Sequence, residues 1–167
     1  MSKCVYIVDD DRTLTEYATL ILQTVGYDAV SSWSVEEAKS FILSGNIAGV
    51  DLIIVDLDLN GESGLSLVEL IKSVEQTAHI PVIVLSECHT EKLIIAAFGV
   101  GATDFIPKPF SRIEFLARVN MALAKTNRRK SDCLVKLEEM EERTRLLERK
   151  SYCMNCDDPC ENKSLHL

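Results

Sequence analysis

The chain has 167 residues, with 18 basic and 26 acidic side chains and a formal net charge of -8. Its hydrophobic content of 47% is enough to fill a core, so the composition excludes a chain that is disordered throughout. The apolar runs fall far short of the roughly 20 residues that a membrane helix needs, and the first residues lack the apolar segment of a secretory signal. We therefore expect a cytoplasmic protein that does not contact a membrane.

The charge divides the chain into two regions. Residues 1–125 contain 9 Lys and Arg and 17 Asp and Glu, whereas residues 126–167 contain 9 of each. The first region should therefore repel a phosphate backbone. The basic run Arg128-Arg129-Lys130 is followed by acidic residues, which is more typical of a solvated helix face than of a nucleic-acid site. We expect no direct contact with nucleic acid.

Short apolar runs alternate with longer segments of helical periodicity over residues 1–125. The predicted strands are residues 4–8, 28–31, 52–55, 82–85 and 103–106. The predicted helices lie near residues 12–25, 34–44, 64–75 and 90–98, and a fifth helix runs onward from residue 111. Continuous apolar strands, rather than alternating ones, indicate a sheet that helices cover on both faces. The sequence therefore predicts an α/β fold with a doubly wound parallel sheet.

Polar side chains follow four of the predicted strands. Asp9 to Asp11 follow the first strand, Asp56 the third, Ser86 the fourth and Lys108 the fifth. Because functional groups of doubly wound sheets gather at the carboxyl ends of the strands, we expect these side chains to meet there. Each alone could be a helix cap, a turn residue or a surface charge. The coincidence of all four favours a functional site.

Clustered carboxylates repel one another unless a cation lies among them. Oxygen-rich sites with few carboxylates suit Mg²⁺, and Mn²⁺ takes similar ligands. A carboxylate can accept a phosphoryl group when a metal and a cation, here Lys108, neutralise the charge on that group. The hydroxyl of Ser86 could donate a hydrogen bond to a phosphoryl oxygen. The sequence therefore predicts phosphoryl transfer onto an aspartate.

Over residues 3 to about 125 these motifs resemble the receiver domain of two-component response regulators. The resemblance rests on the following motifs: Asp9-Asp10, Asp56 in Val-Asp-Leu-Asp-Leu-Asn-Gly-Glu-Ser-Gly, Ser86, Phe105 and Lys108-Pro109-Phe110. It implies a flavodoxin-like sheet of five parallel strands in the order 2-1-3-4-5. It also implies a signalling switch that transfers a phosphoryl group to its own aspartate and autodephosphorylates, rather than a conventional turnover enzyme.

The resemblance implies a role for each matching polar residue. Asp56 would be the phosphoacceptor, and Lys108 would contact the phosphoryl group. Asp10 would bind Mg²⁺ directly and Asp9 through water, while Asp56 and the backbone carbonyl of Asp58 would be further metal ligands. The phosphoryl donor would be a sensor histidine kinase or a phosphotransfer protein.

The resemblance also implies a conformational switch. Phosphorylation would draw the Ser86 hydroxyl toward the phosphoryl group, and Phe105 would turn inward into the space vacated. The surface that changes would be the face of the fourth helix, the fifth strand and the fifth helix. The alternative for Phe105 is an ordinary core aromatic.

Several positions depart from the family pattern. Glu87 stands directly after the switch hydroxyl, where the family usually has a small residue, and Asn60 replaces a common proline. Asp58 and Cys88 occupy positions that tune the lifetime of the phosphoryl group in the family. We therefore predict an unusual dephosphorylation rate, without predicting its direction.

An enzyme interpretation is the alternative. Asp56-Leu57-Asp58 after an apolar strand also fits the Asp-x-Asp start of haloacid-dehalogenase-type phosphatases, in which the first Asp attacks phosphate and the second is an acid and base. That motif normally opens the fold and ends in Thr or Val, whereas here two strands precede it and position 60 is Asn. The receiver interpretation is therefore favoured.

We expect residues 126–150 to continue the fifth helix with a narrow apolar seam. Alternating spacings of three and four link the following positions: Leu116, Val119, Leu123, Thr126, Lys130, Cys133, Leu137, Met140, Thr144 and Leu147. This heptad pattern predicts a weak coiled-coil homodimer, and the alternative is an extended solvated helix on a monomer. The residues beyond 125 are too few for a DNA-binding or catalytic module, so a stand-alone receiver and a piece of a longer protein both remain open.

Residues 151–167 contain a cluster of potential metal ligands. Cys153 and Cys156 form a Cys-x-x-Cys pair, and Cys160 and His166 could complete four ligands for zinc or iron. Such a tail would make the chain a metal- or redox-sensing adaptor, and the alternative is a disordered tail.

Overall fold

The computed structural model describes residues 2–125. The strands, in chain order, are β1 (Cys4–Val8), β2 (Asp28–Ser32), β3 (Leu52–Asp56), β4 (Asp58–Leu59), β5 (Glu62–Ser63), β6 (Val82–Ser86) and β7 (Asp104–Pro107). The helices are α1 (Arg12–Gln23), α2 (Val35–Leu43), α3 (Gly64–Ser73), α4 (Glu75–Ala78), α5 (Glu91–Gly99) and α6, which begins at residue 112 and is described to residue 125.

Five strands form one parallel sheet in the order β2-β1-β3-β6-β7. Without the small β4–β5 hairpin, this order is 2-1-3-4-5, which confirms the predicted fold class. Successive side chains of β1 point to opposite faces, so Tyr6 and Val8 pack under α2 and α3 while Val5 and Ile7 pack under α1 and α6. Burial on both faces explains why the central strands are continuous apolar runs.

The helix predicted over residues 64–75 ends earlier in the structure. Ser73 is its last residue, Val74 is extended with φ -85° and ψ 121°, and a separate short helix α4 follows. The hydroxyl of the buried Thr77 donates a hydrogen bond to the Ile71 carbonyl at 2.6 Å. This side chain therefore satisfies a carbonyl near the end of α3 and holds the chain where it changes direction.

The segment after Asp56, between the third predicted strand and the third predicted helix, forms a small hairpin. The antiparallel strands β4 and β5 pair Asp58 with Ser63 and Leu59 with Glu62. Asn60 and Gly61 connect them, with φ values of 54° and 84°. Positive φ at both positions is typical of the tightest hairpin turns, for which Asn-Gly is the preferred sequence.

Some predictions concern other parts of the chain. The homodimer seam over residues 126–150 and the candidate metal ligands Cys153, Cys156, Cys160 and His166 lie outside the described residues, so they stay predictions. Within residues 2–125, the longest helices are too short or too polar to cross a bilayer.

Candidate functional site

The carboxyl edge of the sheet brings the predicted site residues together. Asp56 and Ser86, expected just past their strands, are the last residues of β3 and β6, while Asp9 directly follows β1 and Lys108 directly follows β7. These four strands are neighbours in parallel register, so their ends lie side by side. They border an open cleft of about 810 Å³. Its walls also include Asp10, Asp11, Leu14, Asp58, Asn60, Gly61, Glu87, Cys88 and Pro109.

Lys108 bridges two buried carboxylates at the base of this cleft. Its Nζ lies 2.7 Å from Oδ2 of Asp9 and 3.0 Å from Oδ2 of Asp56. The lysine side chain is only 9% exposed, and its backbone N–H donates to the Ser86 carbonyl at 2.8 Å. The lysine is therefore fixed at both its backbone and its ammonium group.

The three consecutive aspartates have different environments. Asp9 is fully buried, and its Oδ1 accepts a hydrogen bond of 2.9 Å from the backbone N–H of Asp11. Asp10 is half-buried and lines the cleft. The carboxylate of Asp11 caps α1 by accepting hydrogen bonds from the N–H groups of Thr13 and Leu14. The helix-cap explanation therefore holds for Asp11, whereas Asp9 and Asp10 belong to the candidate site.

The carboxylates suit a divalent cation. One carboxylate oxygen from each of Asp9, Asp10 and Asp56 lies within 4.8 Å of the others. Three carboxylates and the Lys108 ammonium leave a formal charge of -2 when all are ionised. Hard oxygen donors of this kind fit Mg²⁺ or Mn²⁺. Asp58 is exposed, and its carboxylate accepts the Gly61 N–H at 2.9 Å, so its side chain supports the turn.

Burial destabilises the ionised forms of Asp9 and Asp56. It raises the pKa of Asp56 to about 6, the charge of Asp9 adds to this, and Lys108 opposes it. Burial likewise raises the pKa of Asp9 despite the hydrogen bond from Lys108. Burial alone would lower the pKa of Lys108, but its contacts with Asp9 and Asp56 outweigh burial and raise it. The lysine therefore stays charged, while the carboxylates favour a further cation.

The two predicted switch residues are both buried. The Ser86 hydroxyl donates to the Cys88 carbonyl at 2.7 Å and accepts the Cys88 N–H at 3.1 Å, so it is engaged within its own loop. Phe105 lies opposite Val84 in the sheet and is 7% exposed. Its ring already lies in the core, which is also what the core-aromatic alternative predicts. Glu87 and Cys88 are exposed and line the cleft.

Gly64, the last residue of the motif around Asp56, also belongs to this site, although no role was predicted for it. Its backbone packs against the carbonyl of Asp56. A glycine at the first residue of a helix, shortly after a candidate catalytic aspartate, was the available signal.

The chain matches a known family and part of the length of several regulatory proteins. A model of the response regulator receiver domain matches residues 5–120. The phosphate regulon transcriptional regulatory protein PhoB of Pseudomonas aeruginosa is 34% identical over 126 residues, which are 75% of this chain and 54% of PhoB. The regulatory protein VirG of Agrobacterium fabrum is 35% identical over 122 residues, which are 72% of this chain and 46% of VirG. The chain thus spans about half the length of these curated relatives.

Solved structures show the same fold. A CheY-like response regulator receiver domain protein from Methanospirillum hungatei superposes with a TM-score of 0.70 at 20% identity, covering 77% of this chain and 99% of that one. NtrX from Brucella abortus gives a TM-score of 0.69 at 26% identity, covering 78% of this chain and 29% of NtrX.

These matches bear on two further predictions. PhoB is named as a transcriptional regulatory protein, so the prediction that nucleic acid is not contacted has no support from the comparisons. The match over residues 5–120 favours the receiver interpretation over the phosphatase alternative, since β1 and β2 precede Asp56 and are part of the matched domain. The chain belongs to the response regulator receiver domain family of two-component signalling systems.

Proposed function

We propose that this chain is a phosphorylation-controlled switch in which Asp56 accepts a phosphoryl group from a sensor histidine kinase or a phosphotransfer protein. The observation that supports this most directly is the ion pairing of Lys108 with Asp9 and Asp56, beside the half-buried Asp10. In this arrangement the Lys108 ammonium group, together with a divalent cation held by the carboxylates, can neutralise the charge of a transferring phosphoryl group.

In the proposed reaction, a carboxylate oxygen of Asp56 attacks phosphorus and the bond from phosphorus to the donor nitrogen breaks. With a pKa of about 6, Asp56 is largely ionised above neutral pH and retains its nucleophilic form. Lys108 then pairs with the phosphoryl oxygens. Asp10, Asp56 and the backbone carbonyl of Asp58 would hold Mg²⁺ or Mn²⁺, with Asp9 acting through water. When bound there, such a cation would neutralise charge on the phosphoryl oxygens.

The proposed response begins at Ser86. Its hydroxyl leaves the Cys88 carbonyl, which it contacts at 2.7 Å, and donates instead to a phosphoryl oxygen. The resulting conformational change extends to Phe105 and to the surface formed by α5, β7 and α6. On this face the ion pair between Arg118 and Asp104, with 3.0 Å between Nη1 and Oδ1, joins α6 to β7.

The proposed organisation has three parts: a receiver domain over residues 1–125, a helical extension over 126–150 that forms a homodimer, and a Cys-containing tail over 151–167. Sedimentation at micromolar concentration tests the dimer. We expect particles of twice the chain mass of 18.6 kDa. Particles of the single-chain mass alone would rule the dimer out.

The central experiment is incubation with acetyl phosphate and Mg²⁺, followed by intact-mass measurement. Wild type should gain one phosphoryl adduct, which Asp56→Asn should not form. Asp11→Asn is the matched control, because it removes a neighbouring carboxylate that caps α1 and should still form the adduct. An adduct of equal yield on Asp56→Asn, or none on wild type, would refute the proposal. Sustained hydrolysis of a generic phosphate ester would favour the phosphatase alternative instead.

A further inference from the structure

Gly64, the first residue of α3, lies in unusually close contact with the phosphoacceptor. It is buried and its backbone is helical, so its conformation does not itself require glycine. A Cβ atom at this position would overlap the carbonyl oxygen of Asp56. It would also lie 2.9 Å from the carbonyl carbon of Asp56 and from Cα of Leu57. These obstacles are backbone atoms, which cannot rotate away, so any side chain would push α3 and the end of β3 apart.

Gly64 also closes the loop that follows Asp56. Its N–H donates to the carbonyl of Leu57 at 2.8 Å. Within the closed loop, Asp58 pairs with Ser63 across the hairpin, and the Asp58 carboxylate accepts the N–H of Gly61 at 2.9 Å. Several hydrogen bonds therefore fix a segment of only eight residues, which leaves it little freedom to adjust independently.

The closed loop begins directly after the residue that carries the reacting carboxylate. Asp58 is the second residue after Asp56, and both residues line the cleft. The N–H of Leu57 donates to the carbonyl of Leu85 at 3.0 Å, which anchors the start of the loop to the end of β6. A displacement at Gly64 would therefore shift the Asp58 backbone relative to Asp56.

We propose that Gly64 is a positioning residue for phosphoryl acceptance: its missing side chain lets α3 begin against the Asp56 carbonyl and keeps the Asp58 backbone beside the Asp56 carboxylate. The inference rests on the proposed function, because it assigns Gly64 to the same reaction. Displacing reacting groups by about an ångström can slow a reaction about a hundredfold.

The test compares Gly64→Ala with Gly99→Ala. Gly99 ends α5, and a Cβ there meets nothing within 4 Å, so this control adds the same methyl group in open space. Two quantities are measured: the affinity for Mg²⁺, from amide chemical shifts during titration, and the rate of phosphorylation by acetyl phosphate, from intact mass. For Gly64→Ala we expect both to fall by about ten- to a hundredfold, and for Gly99→Ala we expect wild-type values.

Loss of stability alone must be separated from loss of positioning. Ile42→Val shortens a buried side chain of α2 and serves as a destabilised variant that should keep wild-type Mg²⁺ affinity. A folded Gly64→Ala with wild-type affinity and rate would overturn the inference. If Gly64→Ala does not fold, Gly61→Ala decides. At Gly61 the φ of 84° would strain any side chain, although a Cβ there meets no atom within 4 Å. Gly61→Ala therefore disturbs the loop from its exposed end. Weakened Mg²⁺ binding would then support the inference, and wild-type binding would overturn it.

The two proposals fail in different ways. A wild-type protein that binds Mg²⁺ but forms no adduct refutes the proposed function. The comparison of Mg²⁺ affinity between Gly64→Ala and wild type still decides the role of Gly64, because it does not depend on phosphorylation.

Discussion

Replacing Asp56 by asparagine should stabilise the folded protein when no divalent metal is present. The Asp56 side chain is 9% exposed and lies beside the buried carboxylate of Asp9. Burial and this charge raise its pKa from 3.8 to about 6, even though Lys108 lies 3.0 Å away. The ionised carboxylate is therefore less stable in the folded protein than in the unfolded chain.

The difference between the two pKa values sets the magnitude. At 1.36 kcal/mol per pH unit, it corresponds to about 3 kcal/mol of lost stability once Asp56 is ionised in both states. Because the folded-state pKa is the higher one, the folded protein binds more protons between pH 3.8 and about 6, so stability falls as the pH rises through this range. Asp56→Asn should therefore gain about 1–3 kcal/mol at pH 7.5 and about half of that at pH 5.

Urea unfolding in EDTA, followed by the fluorescence of Trp33, measures this gain at both pH values. Asp11→Asn is the matched control, because Asp11 is exposed and asparagine caps a helix about as well as aspartate. Its free energy of unfolding should stay close to the wild-type value. An Asp56→Asn variant no more stable than wild type at pH 7.5, or a gain that does not shrink toward pH 5, would refute the electrostatic argument.

Other changes test separate contacts. Lys108→Met should lower the free energy of unfolding in EDTA by about 3 kcal/mol, since it leaves two buried carboxylates without their cation; an unchanged urea midpoint would contradict the bridging role. Glu87→Ala and Asp58→Asn should change the phosphoryl half-life measured by intact mass, and wild-type half-lives in both would contradict the predicted unusual dephosphorylation rate. Tyr6→Phe removes a buried hydrogen bond of 2.7 Å to Ser32, so urea unfolding should show a loss of about 1–2 kcal/mol. It should also remove the phenol whose pKa burial raises to about 12, which absorbance at alkaline pH would detect.

The sheet could be predicted because its strands carry a strong and local signal. All residues of β3 and β6 are buried, and most are branched apolar residues in an unbroken run. The end of α3 had no such signal, since Val74 continues the apolar periodicity. At the end of α3, the buried hydroxyl of Thr77 donates to the Ile71 carbonyl, a contact that depends on the burial of Thr77 and has no counterpart in the apolar pattern.

The site was predictable in its residue types and less so in its geometry. Strand order alone brings Asp9, Asp56 and Lys108 to one edge, because neighbouring parallel strands end together. Which aspartate would pair with the lysine, and where the Ser86 hydroxyl would point, depend on side-chain packing that no sequence pattern encodes. The close contact of Gly64 with the Asp56 carbonyl joins two backbones, and the sequence marks it only by a glycine at the start of a helix.

The electrostatic cost at Asp56 and the affinity for metal have the same origin. A divalent cation bound among Asp9, Asp10 and Asp56 would relieve the repulsion that destabilises the metal-free protein. Mg²⁺ at about ten times its dissociation constant should therefore stabilise wild type by about 1.4 kcal/mol. Asp56→Asn has less repulsion to relieve and one carboxylate ligand fewer, so Mg²⁺ should stabilise it less than it stabilises wild type. The stability advantage of Asp56→Asn over wild type should therefore narrow when Mg²⁺ is added. Equal stabilisation of both proteins by Mg²⁺ would mean that Asp56 is not part of the metal site.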